Sequence, residues 1–188
     1  MRKHLLFVLF TTLSFYSFSQ LPDSVVRRIV IVRHGEKPKS GDNLTCQGLN
    51  RALALPDTLY KRFGRPDHSY VPTIKTGTKT SSVRMFQTIT PYAVQYDLTV
   101  NSNYPESDTV KFAKHLKTKK GLILVVWEHT NIPGIARHLG VKNPDPWLST
   151  DFDSIWIIDF VQNKKTKAIT IYYSTQQEGI TPSSTCPD

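Results

Sequence analysis

Two short runs of consecutive apolar residues, rich in β-branched side chains, stand out along the chain. Residues 29–32 end abruptly at Arg33, and residues 122–126 end just as abruptly before Glu128 and His129. Runs of this length and composition are typical of strands buried on both faces of a sheet. Both predicted strands therefore stop at polar residues.

Helical spacing of apolar residues appears between these strands and after them. Pro56 is expected to kink or end the first helix, and Pro91 to break the second. The predicted N-terminal caps are Thr45, Ser81 or Ser82, and Ser107 or Asp108, while Pro133 suits the first residue of a fourth helix.

The last two apolar segments alternate with polar residues, as strands with one buried face do. They are residues 154–160 and 167–173, and the turn residues 163–165 between them predict a hairpin. Strands alternating with helices indicate an α/β fold, a three-layer sandwich with a mainly parallel central sheet. Ligands bind beyond the carboxyl ends of such strands. His34 and His129, 95 residues apart, are thus expected to face one pocket.

The N-terminus has the layout of a cleavable signal peptide. Arg2 and Lys3 precede an apolar run over residues 5–18, and Ser17 and Ser19 supply small residues before the expected cut. We predict a signal peptide at 1–19, export to the periplasm or the medium, and no stable membrane insertion after cleavage. An uncleaved N-terminal anchor is the alternative.

Residues 20–188 have the length of one domain, and we expect a flexible tail over 174–188. The formal net charge is +9, which suits anionic ligands. The basic residues are scattered without interleaved stacking aromatics, so we expect no nucleic acid partner. Cys46 and Cys186 are the only cysteines. A disulfide between them is possible outside the cytoplasm, but two free thiols are the preferred interpretation.

The residues around the strand ends suit the chemistry of a phosphate group. Its oxygens repel a nucleophile, so a site that attacks phosphorus needs fixed cations, and the planar fork of Arg33 matches two oxygens. One ring nitrogen of His34 can act as the nucleophile, while a backbone carbonyl fixes the other ring nitrogen. Arg84 lies in the first turn of its predicted helix, where it opposes the helix dipole unless an anion binds there. Taken singly, Arg84 and His129 are each better explained by structural roles.

Together these residues resemble the histidine phosphatase superfamily, with its phosphoglycerate mutase-like fold. The signature Arg-His-Gly after the first strand is Arg33-His34-Gly35, and the resemblance extends over residues 28–160. It is closest to small, lidless members that read Glu-Lys after the triplet. The further matching positions, in the order of the family, are Leu44, Thr45, Gly48, Arg51, Ala52, Ser82, Arg84, Gln87, Thr88, Pro91 and His129.

The resemblance implies a role for each matching residue. His34 would be the nucleophile, and Arg33, Arg84 and His129 would hold the transferred phosphoryl group. It implies no metal and no cofactor. Residues expected to contact the substrate are Gly35, Glu36, Lys37 and Thr130.

The general acid that protonates the leaving alcohol is the open assignment. We rank Glu106 first, Glu36 second and Asp108 third; an enzyme without such an acid is also possible. Glu36 could instead pair with an arginine. If the strand continued that far, alternation would point Glu128 away from His129, which favours a structural or surface role for it.

The leading hypothesis is a phosphomonoester hydrolase that forms a phosphohistidine on His34. Its substrate would be a small-molecule or cell-envelope phosphate ester. One alternative is a phosphate-ester-binding module with weak or no turnover. Another is a phosphomutase, which is disfavoured because the short segments between motifs leave little room for a lid that excludes water.

Overall fold

The computed structural model describes residues 24–187, in which six strands and four helices alternate over most of the chain. The predicted signal peptide lies outside the described residues. Within them, no helix is long and apolar enough to cross a membrane. The elements are β1 Val25–Arg33, α1 Cys46–Phe63, β2 His68–Pro72, α2 Val83–Gln95, β3 Val100–Tyr104, α3 Thr109–Leu116, β4 Gly121–Trp127, α4 Ile132–Leu139, β5 Ser154–Gln162 and β6 Ile169–Gln177.

One six-stranded sheet forms the centre of the molecule, with the strand order β3-β2-β4-β1-β5-β6. The strands β1 to β4 run parallel, and β5 and β6 form an antiparallel hairpin beside β1. The α/β class with a mainly parallel sheet is therefore confirmed, as is the hairpin.

Helices cover both faces of the sheet, which makes three layers. Successive residues of β1 point to opposite faces: Val30 and Val32 pack with α1 and α2, while Ile29 and Ile31 pack with α3 and α4. All four are essentially inaccessible to solvent. This two-sided burial explains why the strand is an unbroken apolar run.

Two prolines lie inside helices that were expected to break at them. The first helix continues through Pro56 to Phe63, and the second continues through Pro91 to Gln95. The expectation of a break is wrong because each helix keeps burying apolar side chains beyond its proline, Leu59 in α1 and Tyr92 in α2. That packing outweighs the lost backbone hydrogen bond, which costs about 3 kcal/mol in an isolated helix.

The C-terminal segment differs from its prediction. The last strand extends to Gln177, so the first four residues of the expected tail are part of the sheet, and Glu178 is buried. Cys186 forms a disulfide with Cys46, with the two Cα atoms 4.5 Å apart. The preference for free thiols is therefore wrong: β6 ends at the sheet edge where α1 begins, which brings the two cysteines together.

Candidate active site

The predicted functional residues meet at the carboxyl edge of the parallel strands. Arg33 at the end of β1 pairs in register with Trp127 at the end of β4. The next residue of each segment therefore leaves the sheet at the same level, and the His34 N–H donates to the Trp127 carbonyl over 3.2 Å. The helices α1, α2 and α4 begin at this edge.

His34 is buried, with one ring nitrogen fixed by the backbone. Nδ1 lies 2.7 Å from the carbonyl oxygen of Gly35, so Nδ1 carries the proton and Nε2 the lone pair. Nε2 is buried and has no hydrogen-bond partner among the described residues. Burial lowers the pKa of His34 to about 4, and the charges of Arg33 and Arg84 act in the same direction. The ring is therefore neutral near pH 7.

Arg33 is held by the loop that precedes β5. Its Nη1 donates to the carbonyl oxygens of Ser149 and Asp151 over 2.7 and 2.9 Å, and its guanidinium lies 3.8 Å from the ring centre of Phe152. Its Nε and Nη2 are buried without an acceptor in the described part of the chain. Burial lowers the pKa of Arg33 to about 10, so the group stays cationic at neutral pH. Two free donors on a fixed cation suit an oxyanion.

Arg84 approaches the same place from the first turn of α2. Its Nε donates to the carbonyl of Asn43 over 3.3 Å, and its Nη2 donates to the carbonyl of Gly41. No described carboxylate pairs with it. The charge of Arg84 contributes to lowering the pKa of both Arg33 and His34.

His129 lies with these arginines, and Glu128 contacts it. The carboxylate of Glu128 lies against Nδ1 of His129 and accepts hydrogen bonds from the backbone N–H of Thr130, at 2.8 Å, and from its hydroxyl. Burial lowers the pKa of His129, and the charges of Arg33 and Lys37 add to this against the opposing Glu128. Because β4 ends at Trp127, the strand does not reach Glu128, and alternation does not turn Glu128 away from His129.

The contacts of Glu128 also affect its own ionisation and the role expected of Thr130. Burial raises the pKa of Glu128, but the hydrogen bonds from Thr130 and the charge of His129 reverse this and leave it below its ordinary value. The Thr130 hydroxyl could donate to a substrate oxygen only after breaking its hydrogen bond to Glu128. Lys37 is exposed, and its charge reaches His129.

A close backbone approach explains the glycine after His34. A Cβ on Gly35 would lie 2.6 Å from the carbonyl oxygen of Gly48, and a Cβ on Gly48 would lie 2.3 Å from that of Glu36. The Gly35 N–H donates to the Thr88 hydroxyl over 2.9 Å, and that hydroxyl donates to the Arg84 carbonyl over 2.8 Å. The loop after β1 is thus tied to both α1 and α2.

Glu36 belongs to a buried ion cluster around Arg51. The sequence did not predict this cluster. Arg51 donates to Glu36 at 2.9 Å, to Glu178 at 2.6 Å and to Asp153 at 3.4 Å. Burial alone would lower the pKa of Arg51, yet the carboxylates hold it above its ordinary value. Burial raises the pKa of Glu178 to about 7. Glu36 therefore pairs with an arginine, the supporting role foreseen for it.

The remaining acid candidates have different surroundings. Glu106 follows β3 at the carboxyl edge and accepts a hydrogen bond from the Ser82 hydroxyl at 3.1 Å, so Ser82 does not cap α2 with its side chain. Burial raises the pKa of Glu106, with the charge of Glu128 adding to the shift. Asp108 instead caps α3 through the Lys111 N–H.

The structure thus brings the four central residues into one cluster, with Glu106 at its margin. Electrostatic effects on pKa connect Arg33 with His34, Arg84 and His129, and connect Arg84 with Glu106. Their catalytic and binding roles stay predictions.

A mainly parallel sheet with helices on both faces, and with these His and Arg residues at its carboxyl edge, is the arrangement expected of the phosphoglycerate mutase-like fold. The resemblance found in the sequence is confirmed at the level of the fold. No known family model matches the chain, and no curated protein matches its sequence.

Two solved structures share this fold with the chain. One is a protein named as phosphohistidine phosphatase SixA from Nakamurella multipartitia, with a TM-score of 0.54 and 15% identity over 81% of this chain and 96% of that one. The other is a mycobacterial glucosyl-3-phosphoglycerate phosphatase in complex with inorganic phosphate, with a TM-score of 0.53 and 14% identity over 79% of this chain and 95% of that one.

Proposed function

We propose that this protein hydrolyses phosphate monoesters through a phosphohistidine on His34. The observation that carries the proposal is a buried, neutral imidazole with an unpartnered Nε2, beside an arginine whose Nε and Nη2 are also unpartnered. A buried polar atom without a partner is costly, and a bound oxyanion would satisfy Arg33 while presenting phosphorus to His34. The phosphatase names of the two solved structures described above agree with this.

In the first step, the lone pair on Nε2 of His34 attacks phosphorus. A P–N bond forms as the bond from phosphorus to the ester oxygen breaks, and the ester oxygen leaves with the bonding electrons. The positive charges of Arg33 and Arg84 stabilise the negative charge on the phosphoryl oxygens throughout this step. The Gly35 carbonyl holds the Nδ1 proton and stabilises the positive charge that the ring acquires.

We propose Glu106 as the group that donates a proton to the leaving oxygen. Two observations support this role. Glu106 lies at the same edge of the sheet, and its burial raises its pKa, which favours the protonated form. In the second step, ionised Glu106 takes a proton from water. The water oxygen bonds to phosphorus, the P–N bond breaks, and His34 returns to its neutral form.

The substrate class and the location of the protein are part of the proposal. The substrate would be a small-molecule or envelope phosphate ester, because the cations lie at the carboxyl edge of the sheet and Arg84 is partly exposed there. We also propose that the chain is exported through the N-terminal signal read from Arg2, Lys3 and the apolar run. The Cys46–Cys186 disulfide supports this, because such bonds persist in oxidising compartments.

Hydrolysis of p-nitrophenyl phosphate in excess chelator tests the proposed activity. We expect the wild-type chain to be active and His34→Ala to lose activity by on the order of 10³-fold or more, since the nucleophile is removed. His138→Ala, which removes an exposed imidazole, is the matched control and should retain full activity. Full activity of His34→Ala, or loss of wild-type activity to the chelator, would refute the mechanism. Micromolar binding of a phosphate ester without turnover would favour the binding module.

A further inference from the structure

A groove of about 320 Å³ opens beside His129 and leads away from it. One wall is the face of α4 that carries Pro133 and Arg137, which lie one helical turn apart. The segment 144–147 forms the opposite wall. The groove therefore begins at the candidate phosphate pocket and ends near a cation.

The wall opposite α4 is rigid and is anchored to the catalytic cluster. Trp147 donates from Nε1 to the carbonyl of Asp151 over 2.9 Å, and Arg33 donates to the same carbonyl. The Trp147 ring stacks on Trp156 with 5.1 Å between ring centres. Prolines at positions 144 and 146 restrict the backbone further. The position of this wall is thus set by the loop that holds Arg33.

Arg137 supplies the charge at the far end of the groove. It is exposed, and its guanidinium makes no hydrogen bond or ion pair to any residue from 24 to 187. Side chains on a helix lean toward its N-terminus, so Arg137 leans toward His129. No residue lining the groove is acidic, and Asp145 is not part of the lining. Three prolines and Trp147 therefore supply the apolar part of the lining, and Arg137 supplies a positive charge.

We propose that this groove binds the leaving group of the substrate, and that Arg137 selects leaving groups with a second anionic substituent beyond an apolar or aromatic body. The inference rests on the proposed function, since it takes the phosphate to lie at His34 and His129. The exposed guanidinium would pair with the second anion, while Pro133 and the 144–147 wall would contact the apolar part. Arg137 would be a specificity residue with no part in the bond-breaking step.

A pair of esters that differ only in charge at the far end tests this inference. The probes are para-phosphonooxyphenylacetate and its methyl ester, whose leaving phenols are closely similar. We expect kcat/KM of the wild-type chain to favour the carboxylate about three- to fivefold, the range of an exposed ion pair. Arg137→Gln should remove this preference through KM and leave kcat/KM for the methyl ester unchanged.

Lys142→Gln is the matched control, because it removes an exposed positive charge that does not line the groove. It should retain the preference for the carboxylate. If both esters are hydrolysed equally by the wild-type chain, or if Arg137→Gln keeps the preference, the inference is wrong while the proposed function stands. If neither ester is hydrolysed, the proposed function is wrong and the inference is overturned with it.

Discussion

At the scale of single residues, the site depends on opposite shifts of two pKa values. Burial lowers that of His34 to about 4 and raises that of Glu106. The imidazole is then neutral, and able to attack, at pH values where the carboxyl group still holds a proton. Such a pair of groups is what a nucleophile and a general acid require at one pH.

These shifts predict a bell-shaped pH profile for kcat/KM, which reports ionisations of the free enzyme. Activity should rise as the pH increases through about 4, because His34 loses the proton that blocks its lone pair. It should fall as the pH passes the raised pKa of Glu106, because the acid is then ionised. Glu106→Gln should remove the falling limb and reduce turnover of an alkyl phosphate about 10²- to 10⁴-fold.

The control for this profile is Asp108→Asn, at the third-ranked acid. Asn also caps helices, so α3 should persist and the falling limb should stay. A falling limb that survives in Glu106→Gln but disappears in Asp108→Asn would assign the acid to Asp108.

The same scale shows what the sequence could indicate about the site. The positions of Arg33, His34, Arg84 and His129 follow from strand ends and one helix start. The cluster around Arg51 was missed because its carboxylates come from distant segments, although a cation on the buried face of α1 is itself a signal for a buried ion pair.

At the scale of elements, the strongest constraint is the contact between the loop after β1 and the start of α1. Gly48→Ala would place a Cβ 2.3 Å from a backbone oxygen, which cannot move aside as a side chain can. We expect the free energy of unfolding to fall by about 1–3 kcal/mol, as in other overpacked sites. Denaturant titration would measure the change.

Gly134→Ala is the matched control, since that helical glycine has ordinary contacts, with its closest neighbour at 3.5 Å. Because alanine has the higher helix propensity, Gly134→Ala should raise the free energy of unfolding by up to about 1 kcal/mol. Equal stability of Gly48→Ala and the wild-type chain would contradict the close approach.

The elements missed from the sequence are β2 and β3. The first contains His68, Ser69 and Pro72. The second has three consecutive polar residues, 101–103, and lies at the sheet edge, where partial exposure relaxes the demand for apolar side chains. The buried strands β1 and β4 meet that demand on both faces, so their apolar runs were sufficient to predict them.

At the scale of the whole molecule, the parallel strands bring the site residues to one edge of the sheet. The β5–β6 hairpin then brings the C-terminal segment to the same edge. The hairpin returns the chain to the carboxyl edge, where Glu178 meets Arg51 and Cys186 meets Cys46. Sequence distance hides such contacts: the two cysteines are 140 residues apart. The alternation of elements was enough to predict the class of fold, whereas this closure required the coordinates.

The most direct test of the covalent mechanism is to map the phosphoryl group on the enzyme during turnover. The reaction with p-nitrophenyl phosphate would be quenched in alkali, which preserves phosphohistidine, and the peptides analysed by mass spectrometry. We predict one phosphoryl group on His34, absent from the His34→Ala chain. A phosphoryl group on His129 or another residue, or steady turnover with no phosphoenzyme at any quench time, would contradict it.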